Sequence, residues 1–156
     1  MHILLYTHMK IQWLAGFFDG EGHIGLAKTW DKRLNIKAKT MRVTPNIQIS
    51  QLNKPILEAI QKEYGYGTIK TYNNMSRLTI TGRQRVKSFL QMLRPHLILK
   101  AEHTDLVLSV LDKDARTAAE ASIKLMHLNG GGTRPSKKEA IFRVKRALHE
   151  GVQFTW

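Results

Sequence analysis

Two carboxylates threaded between glycines, Asp19-Gly20-Glu21-Gly22, follow directly on the apolar run Leu14-Ala15-Gly16-Phe17-Phe18. Residues 10 to 19 read as a helix that is apolar on nearly every side, because Trp13, Leu14, Phe17 and Phe18 cover more arc than one amphipathic stripe needs. Such a helix must be buried on two sides. Gly20 and Gly22 are expected to stop it and leave Glu21 at its mouth, where the helix end is already electronegative and a carboxylate gains nothing. A bound metal cation removes that conflict; the bland alternative is a solvated Asp19–Glu21 pair behind a glycine cap. The chain has no cysteine, so any metal must be held by oxygen or imidazole, and disulfides and thiolate sites are excluded. Gly16 and Gly20 lie four apart, on one helix face, and would let a second backbone come unusually close.

The stretch Leu14 to Gly22 resembles the signature of the LAGLIDADG homing endonucleases, with Glu21 at the position of the acidic metal ligand. Ordered small, apolar and acidic types over nine consecutive positions are hard to meet by chance. The resemblance implies an α+β fold, an αββαββα core with a four-stranded antiparallel saddle-shaped sheet, extended by C-terminal helices. It implies one domain over residues 1–156, with the core at about 10–100 and a helical part at 100–150. The implied activity is site-specific cleavage of double-stranded DNA, by hydrolysis of phosphodiester bonds at a long near-palindromic site. The enzyme would be a homodimer of the intron-homing type. Mg²⁺ is the implied cofactor, with Mn²⁺ as substitute and Ca²⁺ supporting binding with little cleavage. Two other readings share the fold: an RNA maturase acting on its host intron RNA, and a DNA-binding protein without chemistry. Retention of Glu21, Gln51 and Lys100 favours cleavage, since a pure RNA binder has no need of a metal carboxylate.

The same resemblance supplies the remaining roles. Glu21 holds the metal with the backbone carbonyl of Gly20; Gln51 ends the second strand and positions water; Lys100, closing Pro95-His96-Leu97-Ile98-Leu99-Lys100, is the lysine after the third core helix. One carboxylate per chain suffices, because Mg²⁺ keeps several waters and takes one or two carboxylates plus phosphate. Lys54 joins the pocket with less support, and Glu at position 21, where Asp is also common, moves the carboxylate by roughly an ångström. His23 reads as a strand residue near phosphate; the other histidines lack the spacing of a zinc site. Pairing through helix 11 to 19, by Trp13, Gly16, Phe17, Asp19 and Gly20, would bring both Glu21 residues near a dyad that matches a near-palindromic duplex. Asp19 reads as structural, hydrogen-bonding at the helix junction or across that interface.

The elements that must position these residues are visible in the chain. With 25 Lys+Arg against 12 Asp+Glu, the net charge is +13, and nucleic acid is the first candidate partner. No long apolar run suggests a membrane, and Ile3 to Tyr6 is too short for a signal segment, so an intracellular setting is expected. Residues 1–8 are an extension, read as a frayed terminus or a DNA-touching arm. A strand is expected at His23–Ala27, then a basic loop, open to strand character at its ends, carrying Lys28, Lys32, Arg33, Lys37 and Lys39 against the single acid Asp31.

Residues 41–51 alternate, with Met41, Val43, Pro45, Ile47 and Ile49 toward a core and Arg42, Thr44, Asn46, Gln48 and Ser50 away from it. A helix opens at Asn53 and Pro55 and closes at Gly65. A hairpin about Asn73-Asn74 pairs Tyr72 with Met75, Lys70 with Arg77 and Thr68 with Thr79 on one face. Helices follow at 83–93, 100–111 and 115–128; after a glycine break at 130–132 a further, final helix begins at a capping box Ser136-x-x-Glu139 and carries Lys137, Lys138, Arg143, Lys145 and Arg146. Antiparallel ribbons fit the major groove, so Arg42, Thr44, Asn46, Gln48, Thr68, Lys70, Tyr72, Arg77 and Thr79 are the expected base-reading set, with Lys28, Lys32 and Arg33 on the backbone.

Overall fold

The computed structural model describes residues 10–30, 40–130 and 135–156. The elements run α1 (Ile11–Glu21), β1 (Gly22–Trp30), β2 (Thr40–Gln51), α2 (Lys54–Tyr64), β3 (Thr68–Tyr72), β4 (Met75–Thr81), α3 (Arg83–Leu93), a 3₁₀ turn (Arg94–His96), α4 (Ala101–Val110), α5 (Ala115–Leu128), α6 (Pro135–His149) and β5 (Gln153–Thr155). Four antiparallel strands in the order β1-β2-β4-β3 carry helices on one face, as the αββαββα reading requires. The fifth, β5, pairs parallel with the start of β2 and was not foreseen.

Local chemistry sets most boundaries. The Asn53 side chain accepts the Ile56 amide at 3.3 Å and caps α2, and Gly65 closes that helix in the left-handed region at φ 70°. Asn73 takes φ 53° at the β3–β4 turn, and the hairpin register is the expected one, Tyr72 opposite Met75 and Lys70 opposite Arg77. At α6 the expectation fails: the helix starts at Pro135, so Ser136 lies within its first turn and is no N-cap. Proline is itself a favoured first helical residue, which moves the start one position earlier. Lys32, Arg33 and residues 1–8 lie outside the described residues.

The core lies between the sheet and the helices. Ile24, Ile47, Ile49, Leu78 and Ile80 from the strands meet Leu14, Phe18, Leu57, Val86, Phe89 and Leu90 from α1, α2 and α3, all essentially inaccessible to water. Proline in the middle of β2 fits because of the register. Asn129 donates from outside to the Ile24 carbonyl at 3.0 Å, so that carbonyl points away from β2. By the two-residue alternation of an antiparallel ladder, the nitrogen of Pro45, opposite Leu26, faces away from β1. On that flank β4 ends opposite Asn46 and β5 ends opposite Arg42, so no ladder hydrogen bond is lost at Pro45.

The join between α1 and β1 has no loop at all. The helix runs through Gly20 to Glu21, and Gly22 alone ends it, turning into extended backbone at φ −81° and ψ 156°. A Cβ at Gly22 would lie 2.1 Å from the Phe18 ring, which is itself fully buried and set edge-on to Phe89 at 5.7 Å. Gly22→Ala should therefore destabilise the fold by about 1–3 kcal/mol through overpacking. Urea unfolding should show this loss, and a smaller one when alanine is introduced into a Phe18→Leu background; an equal loss in both would exclude the ring as the cause.

Candidate nucleic-acid interface and metal-binding corner

Glu21 is the last residue of α1 and is exposed; its carboxylate makes no hydrogen bond or ion pair to any described residue. Its neighbour Asp19 is spent differently. The Asp19 carboxylate is buried and accepts the Ile98 amide at 2.8 Å and the Lys100 amide at 2.9 Å, while the Asp19 backbone carbonyl accepts the Lys100 ammonium at 2.6 Å. One acidic side chain thus fixes the segment before α4 against the end of α1 and delivers Lys100 to the electronegative helix end. Partial burial depresses the Lys100 pKa, opposed by the charges of Asp19 and Glu21 beside it.

Gln51 enters by register. Gly22 pairs with Ile49, so the last residue of β2 extends two positions beyond, level with the final turn of α1 and on the same face of the sheet. Lys54 starts α2 and pairs locally with Glu58 at 3.6 Å on an exposed surface. His23 is the first residue of β1 to point away from the helices. Burial and the positive charges of Lys137, Lys100, His103 and Arg77 push its pKa down.

The face of the sheet away from the helices carries the expected reading set in register. Gln48 lies opposite Thr79 and Thr79 opposite Thr68; Ser50 lies opposite Arg77 and Arg77 opposite Lys70. Arg42, Thr44 and Asn46 continue it along β2, and Tyr72 stands exposed at the hairpin end. Arg77 donates from Nε to Ser50 Oγ at 3.1 Å, and Asn46 from Nδ2 to the Thr44 carbonyl at 3.4 Å. Sequence reading missed Thr29, opposite Arg42 on this face, and placed Ser50 on the face without counting it among the base readers. The signal was there: continuing the alternation of His23 and Gly25 reaches Thr29. Lys137, expected as one of the basic residues of the last helix, bonds the Gly130 carbonyl through its ammonium and shares a 360 Å³ cleft with His23, Asn46, Gln48 and Asn129 along the free edge of β1.

Lys28 is the correction. It was placed on the loop for backbone contact, but β1 continues to Trp30, and Lys28, opposite Val43, falls on the helix side. There its ammonium lies 3.9 Å from the Met126 sulfur, and burial lowers its pKa to about 8. It is not part of the reading face.

The α1 face expected to pair with a second helix is bare. Gly16 and Gly20 are exposed, and a Cβ added at either meets nothing within 4 Å. Trp13 stacks on Phe17 at 5.0 Å and is 44% exposed; Ile98 and Leu99, beside the Asp19 clamp, are 81% and 70% exposed. Among the described residues no group of three or more His, Cys, Asp or Glu side chains converges. A site here therefore has one carboxylate and one carbonyl to offer, a hard-oxygen set that suits a cation retaining its own waters.

A family model described as LAGLIDADG endonuclease matches residues 14–107. The chain belongs to the LAGLIDADG endonuclease family. It is similar to the DNA endonuclease I-CvuI of Chlorella vulgaris, 32% identical over 109 residues, covering 69% of this chain and 67% of that protein. The solved structure of I-CvuI bound to the I-CreI target in 2 mM Mg, with the DNA not cleaved, superposes with a TM-score of 0.72 at 28% identity, covering 95% of this chain and 97% of that one. The archaeal intron-encoded homing endonuclease I-Vdi141I, complexed with DNA, shares the fold with a TM-score of 0.70 at 15% identity, covering 90% of this chain and 97% of that one. I-CvuI has also been crystallised with its own target in 2 mM Ca. The LAGLIDADG match spans Glu21, Gln51 and Lys100 and stops within α4, so α5, α6 and β5 lie beyond it. No described helix is long and apolar enough to cross a membrane.

Lys28 gives a pH-dependent prediction. Its folded pKa is lowered from 10.5 to about 8, so between those values the unfolded chain binds more protons and stability rises with pH. The cost of burying the charge is fully present below about pH 8 and relieved by pH 10.5, a gain of a few kcal/mol at most. Lys28→Met should stabilise the protein at pH 7 and remove that rise. Urea titrations at pH 7 and pH 10 check both signs; a variant less stable at pH 7 would show that the lysine contributes more than its charge costs.

Proposed function

We propose that the chain is a site-specific DNA endonuclease of the intron-homing type, cutting both strands of a long near-palindromic duplex as a Mg²⁺-dependent homodimer built from single-domain subunits. The observation that carries this reading is the free Glu21 carboxylate, held at the mouth of α1 beside Lys100 and at the end of a polar sheet face. Glu21 with the Gly20 carbonyl would hold the metal, each chain serving one strand. When bound, Mg²⁺ supplies positive charge at the scissile phosphate and makes its water more acidic; Mn²⁺ can substitute, and Ca²⁺ supports assembly with little turnover.

The chain's own residues do the rest. Lys100, whose ammonium is fixed by the Asp19 carbonyl at 2.6 Å, presents positive charge where charge accumulates on the phosphate oxygens. Gln51, level with the last turn of α1, orients the attacking water. Arg42, Thr44, Asn46, Gln48, Thr68, Lys70, Tyr72, Arg77 and Thr79 present donors and acceptors to base edges, the antiparallel ribbons lying in the major groove.

Two helical glycines support the dimer. Each costs about 1 kcal/mol relative to alanine, and neither is needed by packing within the chain. A second α1 against Gly16 and Gly20 would also cover Trp13, Phe17, Ile98 and Leu99. Gly16→Leu should then yield monomer. Sedimentation that finds the wild type monomeric, both free and on DNA, excludes this part of the proposal.

The chemistry is tested separately from binding. Glu21→Gln keeps size but is a much poorer ligand for a hard cation, and it removes negative charge facing phosphate. The variant should bind duplex in Ca²⁺ at least as well as wild type and lose strand scission in Mg²⁺ by at least about a hundredfold. The target comes from incubating wild type with a library of long duplexes in Mg²⁺ and sequencing the cut ends. Normal cutting by Glu21→Gln would show that α1 serves only as an interface.

A further inference from the structure

We propose that β5 adds a fifth strand to the reading face and that Gln153 is a specificity-determining residue for the outer end of each half-site. This rests on the endonuclease reading and extends it to a segment beyond the family match, which ends at residue 107.

The register assigns the faces. Thr40 lies opposite Gln153, Met41 opposite Phe154 and Arg42 opposite Thr155. Phe154 joins Met41, Ala147 and Val152 in a small apolar cluster on the helix side. Strand alternation then puts Gln153 on the other side, the side of Arg42 and Thr44, and it is exposed there. β5 occupies the flank of β2 that β4 vacates at Pro45, so it prolongs the line of β4 along the reading face.

A three-residue strand has no stability of its own, and this one is tied down on every side. The Trp156 indole donates to the Lys113 carbonyl at 2.9 Å, Arg83 lies over the Trp156 ring at 4.9 Å, and Arg116 lies over Phe154 at 5.8 Å. The Val152 amide bonds the Ala147 carbonyl at 3.1 Å. Gln153 is therefore a polar side chain on a fixed backbone. A glutamine amide can pair through both its donor and its acceptor with the N6 and N7 edge of adenine.

Its position predicts which base pair it meets. From the Gly22–Ile49 row, next to Glu21, to Thr40 is nine residues of β2, a span of about 30 Å. At roughly 3.4 Å per base pair along the duplex, and allowing for the slant of the groove, that is about seven to nine base pairs from the cleavage centre.

The absence of cysteine makes the test direct. Gln153→Cys gives a chain with one thiol, to be trapped as a disulfide on duplexes of the selected target in Ca²⁺, each with one thiol-tethered base at successive positions. Trapping is expected only about seven to nine base pairs from the centre, with none for a Lys62→Cys control on α2, on the helix side. Gln153→Ala should weaken the base preference at the same positions by about tenfold and leave the rest of the profile intact. Trapping that is absent or uniform, or an unchanged Gln153→Ala profile, would overturn the inference alone. A wild type that selects no duplex would overturn the endonuclease reading with it.

Discussion

The arrangement depends on a corner where a helix becomes a strand without an intervening loop. That turn is open only to a residue lacking Cβ, because the Phe18 ring occupies the space a side chain at Gly22 would need. Phe18 cannot move aside, being packed edge-on against Phe89 of α3 in the fully buried core. Asp19 locks the third side by accepting two backbone amides from the segment before α4. Glu21, the first row of the sheet and Lys100 are thereby parts of one rigid body. These groups take their spacing from close packing rather than from one another.

From that corner the strand alternation decides what each cation can do. Lys28 and Thr29 are neighbours on β1, yet Thr29 stands with Arg42 on the open face while Lys28 faces Val43 and Met126 on the helix side. A lysine tolerates the wrong side because its stem is apolar, and burial of the ammonium lowers its pKa to about 8, so that it can shed its charge at a milder pH than an exposed lysine. An arginine in that place could not neutralise itself.

Much of this was legible in the sequence, and the failures are instructive. The signature run, the β3–β4 register and the caps of α2 depend on contacts between residues close in the chain, and the sequence displays them. The open face of β2 followed from unbroken alternation from Met41 to Ser50. Lys28 was misplaced because β1 was ended at Ala27: its last residues include Lys28 and Thr29, which look like loop until the partner strand is known. β5 was invisible for a stronger reason. Gln153 to Thr155 is too short to announce a strand, and it forms one only through Trp156, Phe154 and Val152, whose partners lie up to 113 residues away, the separation of Phe154 from Met41. Ile98 and Leu99 sat inside a motif valued for its lysine, so their exposure beside α1 went unread.

Charge is segregated in a way that makes the position of Glu21 informative. None of the five strands contains an aspartate or glutamate, while β2, β3 and β4 contribute Arg42, Lys70 and Arg77 to the open face. The acids are elsewhere, and seven of them are paired: Glu58 with Lys54, Glu102 with Lys124, Asp105 with Arg94, Asp112 with Lys87, Glu120 with Arg116, Glu139 with Arg143 and Glu150 with Arg146. Such exposed pairs add little stability each, but at close range they cancel the field of the helical surface. The excess of +13 is left to act where no acid opposes it. Against that background a carboxylate at the edge of the open face works against phosphate binding, unless a cation stands between the two. On the reading proposed above, a metal held at Glu21 would remove that conflict and place the acid for phosphodiester chemistry.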